Sequence, residues 1–111
     1  MIIEQKESLS MHGDMGLKAS AIRLLAARLF TEIPTQNGFA KACDVGATTY
    51  NNMEKALNYP NRKVMKYLYR GHRIDFNFLM NGDFSQLPED VQNRLFEKLR
   101  IAHDEWDQKA N

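Results

Sequence analysis

The sequence predicts an all-α fold of five short helices followed by one longer C-terminal helix. Apolar residues recur at three- and four-residue spacing along most of the 111 residues, as they do on the buried face of a helix. Residue types that favour helix starts and stops separate these stretches at short intervals. No run of alternating apolar and polar residues flanks an Asn-Gly-type turn, so no β-hairpin is predicted.

The chain begins with a predicted arm and two predicted helices. Residues 1–16 lack sustained periodicity and contain two glycines, so we expect a flexible arm there. Helical periodicity begins at Leu17, and the first helix ends before Pro34, because a residue that precedes proline is disfavoured in helical geometry. Thr35 is a suitable N-cap for a short second helix over residues 36–43.

Three more short helices occupy the middle of the predicted fold. A turn at Asp44 separates the second helix from a third, which begins near Gly46. Asn61 is placed to cap the fourth helix and Asp75 to cap the fifth. The Asn-Gly-Asp sequence at residues 81–83 is a strong stop signal for the fifth helix.

The last predicted helix covers residues 89–108, directly after Pro88, and its apolar residues have heptad-like spacing. Two interpretations of this stripe stay open: it packs on the preceding domain, or it forms the seam of a homodimer. We favour the dimer seam, because little sequence after the tryptophan is left to cover it. The stripe consists of Val91, Leu95, Leu99, Ala102 and Trp106.

Composition and charge narrow the class of protein. No apolar run approaches the roughly 20 residues that span a bilayer, so no membrane partner is expected. One cysteine and no signal-peptide pattern favour the cytoplasm. The formal net charge is only +1, but residues 17–80 carry ten Lys or Arg against four Asp or Glu, whereas residues 81–111 carry four against seven. A basic centre of this kind favours a polyanionic partner.

Catalytic and metal-binding patterns are missing from the sequence. No paired carboxylates, nucleophile–base set or phosphate-cradling glycine loop occurs, so we predict that the chain is not an enzyme. His12, His72 and His103 are far apart, and no ligand joins them at metal-binding spacing, so no metal and no cofactor are expected. Cys43 is on the apolar side of a short helix, which favours a buried structural thiol.

Residues 46–55, Gly-Ala-Thr-Thr-Tyr-Asn-Asn-Met-Glu-Lys, have the composition of a helix that enters the DNA major groove. Tyr50 and Met53 share an apolar face, and the other positions are small or polar. Two short helices joined by a tight turn form a helix-turn-helix, whose second helix reads base edges. Asparagine pairs bidentately with adenine, and methyl groups contact thymine. The candidate base-reading residues are Ala47, Thr48, Thr49, Asn51 and Asn52.

Three segments resemble the lambda-repressor-like, Cro/XRE-type family of helix-turn-helix DNA-binding proteins. Residues 35–40, Thr-Gln-Asn-Gly-Phe-Ala, are similar to the family's opening of the second helix. Residues 45–55 are similar to its recognition segment, and residues 74–83 to the end of its fifth helix. Asp44 and Ala56 stand where the family usually has glycine. The resemblance implies a five-helix domain over residues 17–84. Residues 85–111 lie outside it, and their helix is a candidate dimerisation element because of its apolar spacing.

The resemblance also implies roles for individual residues. Glu54 would form a structural ion pair with Arg28, and Gln36 would bind a phosphate and brace the recognition helix. The residues implied at the DNA backbone are Thr35, Gln36, Lys55, Asn58, Arg62 and Lys63.

The function implied is sequence-specific binding of double-stranded DNA by a bacterial or phage transcriptional repressor. Such a protein acts as a homodimer in the cytoplasm and associates with the nucleoid when it is bound to DNA. Two alternatives use the same scaffold. One is the antitoxin of a toxin–antitoxin pair, in which residues 1–16 or the C-terminal helix would cover a toxin. The other is an interaction module that binds only protein, such as another regulatory protein.

Overall fold

The computed structural model describes residues 1–109, and within that range the chain forms seven α-helices and no β-strand. The predicted all-α class is therefore confirmed, with one more helix than the sequence indicates. No helix among the described residues is long and apolar enough to cross a membrane. The helices are α1 Ile3–Ser10, α2 Leu17–Thr31, α3 Gln36–Ala42, α4 Ala47–Glu54, α5 Arg62–His72, α6 Phe76–Asn81 and α7 Glu89–Lys109.

Polar side chains begin three of these helices as predicted. Thr35, Asn61 and Asp75 each accept a hydrogen bond from the backbone amide three residues later, at 2.9 to 3.0 Å. Each bond satisfies one of the amides that a helix start leaves without an internal partner. Gly46, the N-cap of α4, has no side chain to do this. The start of α4 therefore lacks a side-chain cap, and its buried anchoring residues, from Tyr50 onward, lie further along the helix.

Both turns that flank α4 contain a non-glycine residue in the left-handed conformation. Asp44 has φ of 61° and Ala56 has φ of 62°. These are the two positions at which the resembled family usually has glycine, which adopts such angles without a steric penalty. At Asp44 the Nζ atom of Lys63 donates to the backbone oxygen and to the carboxylate, both at 3.1 Å, and so supports the turn from outside.

Helix α2 lies at the centre of the fold. Its residues from Ala19 to Ala27 are all buried, because α2 contacts α7, α4 and α6 at once. A helix that is covered on most sides needs small and apolar residues around its whole circumference. From Ala19 to Ala27 the residues of α2 are alanine, leucine and isoleucine, with two polar exceptions, Ser20 and Arg23.

The apolar stripe of α7 faces this same core, which corrects the dimer seam predicted from the sequence. Val91, Leu95, Leu99 and Ala102 are at most 1% exposed and belong to one buried cluster with α2. Trp106 is partly buried and packs against the cluster. Heptad-like spacing shows that one face of a helix is buried but does not show against what. Here the stripe forms an internal interface of the chain, and it is not available to a second copy.

The N-terminal residues also differ from the sequence prediction. Where the sequence predicts a flexible arm over residues 1–16, the structure has helix α1, which contacts α7. The sequence of α1, Ile-Glu-Gln-Lys-Glu-Ser-Leu-Ser, lacks an apolar stripe, and only Ser10 is buried. A periodicity criterion cannot detect a helix that docks mainly through backbone groups.

Hydrogen bonds to backbone groups dock this segment. The Nε2 atom of His103 in α7 lies 2.8 Å from the carbonyl oxygen of Leu9. The amide of Gly13 donates to the carbonyl of Asn81, the last residue of α6, at 2.8 Å. The first sixteen residues are thereby connected to two elements that follow much later in the chain.

Arg23 is the central anchor of the N-terminal segment. Its side chain is fully buried, and each of its hydrogen bonds goes to a backbone carbonyl. The Nε atom donates to Ser10 at 2.8 Å, and Nη2 donates to Met11 at 2.8 Å and to Asp14 at 2.6 Å. Nη1 reaches Leu79 of α6 at 3.5 Å. One guanidinium thus satisfies carbonyls at the end of α1, in the following loop and in α6.

Candidate nucleic-acid interface

Helices α3 and α4 form a compact unit joined by four residues, 43–46. The two helices contact each other, and α4 also contacts α2. The rings of Phe39 in α3 and Tyr50 in α4 pack with their centroids 5.1 Å apart. We refer to residues 36–54 as the α3–turn–α4 unit.

The exposed side of α4 carries the candidate base-reading residues. Ala47, Thr48 and Thr49 are exposed, and Asn51 and Asn52 are half-buried. At about 100° per residue, all of them except Thr49 lie within about 140° of one another around the helix. Thr49 lies at the edge of this face, beside the buried side.

The opposite side of α4 is anchored in the protein. Tyr50 and Met53 are buried, and Glu54 is only 7% exposed. Within the described part of the chain, every side-chain hydrogen bond of α4 involves Tyr50 or Glu54. The polar side chains on the exposed face therefore keep their hydrogen-bonding groups available to a ligand.

A buried network around Glu54 fixes α4 to its neighbours. The Nε atom of Arg28 donates to Oε2 of Glu54 at 2.6 Å, and Nη2 donates to Oε1 at 3.2 Å, so the ion pair implied by the resemblance is present. The side-chain amide of Gln36 donates to Oε1 at 2.8 Å, and the hydroxyl of Tyr50 donates to Oε2. Helices α2, α3 and α4 thus share one carboxylate.

Burial and charge act together on this network. Burial alone would lower the pKa of Arg28, but the hydrogen bonds and charge of Glu54 outweigh it and raise that pKa. Burial, together with the neighbouring carboxylate of Glu54, also raises the pKa of Tyr50. At neutral pH the arginine is therefore charged and the tyrosine hydroxyl keeps the proton that it donates.

The residues predicted at the DNA backbone fall into two groups. Lys55, Asn58 and Arg62 are exposed after α4, and their side chains form no hydrogen bond or ion pair with residues 1–109. The others are engaged locally: the hydroxyl of Thr35 caps α3, and Lys63 supports the turn before α4. Gln36 donates to Glu54, so its bracing role is present in the structure.

The basic character predicted for residues 17–80 is concentrated on α5. This helix contains five Lys or Arg residues counting its C-cap and no acidic residue. Two other members of the predicted basic centre add little to the surface, because Arg23 is buried and the Arg28 side chain is only 11% exposed. Sequence counting could not make this distinction, because arginine is ordinarily an exposed residue.

Metal-binding and nucleophilic groups are not assembled at this surface. Within residues 1–109, no three side chains of His, Cys, Asp or Glu come together in a way that could hold a metal ion. Cys43 is buried, and burial raises its pKa from 9.0 to about 12. A thiol with such a pKa is protonated at neutral pH and is a poor nucleophile.

Comparison of the chain with protein-family models, curated proteins and solved structures finds no match. The interpretation of function therefore depends on the α3–turn–α4 unit, its anchoring network and the charges around it.

Proposed function

We propose that the chain binds double-stranded DNA sequence-specifically, with the α3–turn–α4 unit as a helix-turn-helix and α4 as the recognition helix. One observation carries this proposal. Within residues 1–109, the polar side chains of one α4 face form no hydrogen bond with the protein, while the opposite face is anchored by Tyr50, Met53 and Glu54. An apolar buried face is common to surface helices, but a helix that reads base edges also needs a defined position, and the hydrogen bonds of Glu54 to α2 and α3 support one here.

The dimensions and charges of the unit suit the major groove. A groove about 12 Å wide admits one α-helix, and the exposed face of α4 presents two amides and the hydroxyl of Thr48 to it, with the hydroxyl of Thr49 at its edge. Lys55 at the end of α4 and Arg62 at the start of α5 supply positive charge beside the proposed recognition helix. Phosphate contacts of this kind set the register of a protein on DNA, and base contacts give it specificity.

The biological role that we propose is transcriptional repression of the bacterial or phage type in the cytoplasm, with α2–α6 arranged as in lambda-repressor-like domains. A homodimer remains part of this proposal, because two recognition helices would match half-sites about 34 Å apart on one face of DNA. The dimer interface would have to lie outside the α7 stripe, which is buried within the chain.

The base-reading role of Asn52 gives the sharpest test of the recognition helix. Selection of fragments from a random double-stranded pool should yield a defined site for the unmodified chain. Asn52→Ala should weaken the preference at one position of that site by about 5- to 150-fold, which corresponds to the loss of one good base contact of about 1–3 kcal/mol.

Asn93→Ala is the matched control, because it removes the same group from an exposed position on α7. This control should select the same site as the unmodified chain. If the Asn52→Ala chain is folded and its positional preferences are unchanged, the assignment of Asn52 to base reading is wrong.

A further inference from the structure

A groove of about 520 Å³ lies between the turn before α4 and the exposed face of α5. Its volume is within the range of about 300–1,000 Å³ that is typical of small-molecule sites. We call it the α5 groove; the residues that define it are Cys43, Asp44, Lys63, Lys66, Tyr67 and Arg70. The proposed base-reading surface of α4 is separate from it.

An apolar floor distinguishes the α5 groove from a simple basic surface. Cys43 is 5% exposed, and its thiol carries no charge at neutral pH because burial raises its pKa to about 12. The ring of Tyr67 packs edge-on against Phe39 with centroids 5.7 Å apart, which holds the tyrosine in place. The Tyr67 hydroxyl has no hydrogen-bond partner within residues 1–109, so it is available to a ligand.

The rim of the groove is basic. Lys66 and Arg70 are exposed, and neither takes part in an ion pair in the part of the chain that the structure describes. They are four residues apart on one helix and therefore lie on the same face. The acidic residue of the groove, Asp44, is already paired with Lys63 at 3.1 Å.

We infer that the α5 groove binds a small organic anion, with its carboxylate or phosphate between Lys66 and Arg70 and its apolar or aromatic body on Cys43 and Tyr67. A DNA phosphate would need only the exposed cations, and it would leave the apolar floor uncovered. A molecule with both parts uses the whole groove, because its ring buries apolar surface while its anionic group forms charge-assisted hydrogen bonds.

The groove is connected to α4 through Lys63. This lysine donates to Asp44 two residues before the N-cap of α4, at a position with φ of 61°. An anion between Lys66 and Arg70 lies in the same groove as Lys63, so we expect it to attract this lysine away from Asp44 and to remove a support from a left-handed turn. The ligand should therefore lower DNA affinity, and this second step, unlike binding itself, rests on the proposed function. Binding of DNA would lower ligand affinity by the same factor.

Phenyl phosphate is a suitable probe for the binding step, with inorganic phosphate and phenol as its separate halves. Titration of the full ¹⁵N-labelled chain should give saturable shifts at the amides of residues 43–46 and 66–71. Phenyl phosphate should bind at least about tenfold more tightly than inorganic phosphate, because only the former covers the apolar floor. Equal affinity of the two, or no saturable shifts, would overturn the inference.

A pair of double variants separates a local site from a general effect of charge. Lys66→Gln with Arg70→Gln should weaken phenyl phosphate binding at least about tenfold, since two charge-assisted contacts are lost. Lys18→Gln with Arg100→Gln removes the same charge from exposed positions outside the groove and should leave binding unchanged. The inference fails if both double variants lose affinity for phenyl phosphate equally. It also fails if the Lys66→Gln, Arg70→Gln variant loses affinity for DNA but keeps its affinity for phenyl phosphate.

The coupling between the α5 groove and DNA binding is tested by measuring DNA affinity with and without phenyl phosphate. Saturating phenyl phosphate should lower the DNA affinity of the unmodified chain and should have no such effect on the groove variant. If the chain binds phenyl phosphate but no DNA, the proposed DNA-binding function is wrong, whereas the assignment of an anion site in the α5 groove is retained. If DNA affinity is the same with and without phenyl phosphate, the coupling is wrong.

Discussion

Replacing Glu54 with alanine should lower the free energy of unfolding by about 3 kcal/mol, because the change leaves the largely buried guanidinium of Arg28 without its partner. The carboxylate of Glu54 accepts hydrogen bonds from three side chains, and the Arg28 side chain opposite it is only 11% exposed. All three donors lose their acceptor at once. Urea denaturation followed by circular dichroism measures the loss as a lower midpoint.

Two further variants show whether the lost pair is the cause. Glu97→Ala removes an exposed glutamate of α7 and should change stability by no more than about 0.5 kcal/mol. Arg28→Met combined with Glu54→Leu replaces the pair by apolar groups and should recover most of the loss, because no charge stays buried alone. A Glu54→Ala chain within about 1 kcal/mol of the unmodified protein would contradict the anchoring role of this network.

Replacing Arg23 with alanine should cost about 3 kcal/mol, because it leaves the buried carbonyl of Ser10 and the partly buried carbonyls of Met11 and Asp14 without their donor. Burial lowers the pKa of Arg23 from 12.5 to about 10, against the opposing charges of Asp14 and Asp83, so the guanidinium is still charged at neutral pH. Its acceptors lie in α1, the loop after it and α6. Hydrogen exchange should show the amides of α1 losing protection before those of α2.

The contact between the guanidinium of Arg23 and the carbonyl of Ser10 can also be disturbed by a substitution at Gly82, which lies beside it. Gly82 has φ of 76°, and a Cβ atom there would lie 2.5 Å from the carbonyl oxygen of Ser10 and 2.9 Å from Nη2 of Arg23. Gly82→Ala should therefore cost more than about 1 kcal/mol and loosen α1.

Two control substitutions complete this test. At Gly71 a Cβ atom meets no atom within 4 Å, and Gly71→Ala in this helix should add about 0.5–1 kcal/mol of stability. Lys18→Ala, at an exposed position of α2, should be nearly neutral. Unchanged α1 protection in the Arg23→Ala chain would show that Arg23 does not dock the N-terminal segment.

Local signals account for the parts of the fold that the sequence predicts well. A capping side chain such as Thr35, Asn61 or Asp75 acts within three residues, so its effect can be predicted without tertiary information. The inward side of α4 is also predictable, because Tyr50 and Met53 are apolar residues at helical spacing. The Arg28–Glu54 pair is different, because it joins residues far apart in the chain. Only the family resemblance predicts it.

The parts that the sequence does not predict depend on long-range contacts. The α7 stripe is recognisable as buried, but the partner that covers it, α2, is not encoded in its spacing. Helix α1 lacks an apolar stripe and is docked by hydrogen bonds to its backbone carbonyl groups, which every residue possesses, so its sequence carries no signal of the docking. Arg23 is buried as a result of that docking, so its burial cannot be predicted without it. The α5 groove depends on how α5 packs beside the turn before α4, which is also a tertiary contact.

The affinity of the chain for double-stranded DNA as a function of salt concentration tests the proposed function most directly. We expect binding at low salt, with the logarithm of the association constant falling linearly against the logarithm of salt concentration by about 0.9 for each phosphate neutralised. Lys55→Gln and Arg62→Gln should each remove one phosphate contact and so reduce the magnitude of that slope by about 0.9, whereas Arg100→Gln on α7 should leave the slope unchanged. If the folded chain binds no double-stranded DNA even at about 50 mM salt, it is not a DNA-binding protein, and an interaction module that binds only protein becomes the better account.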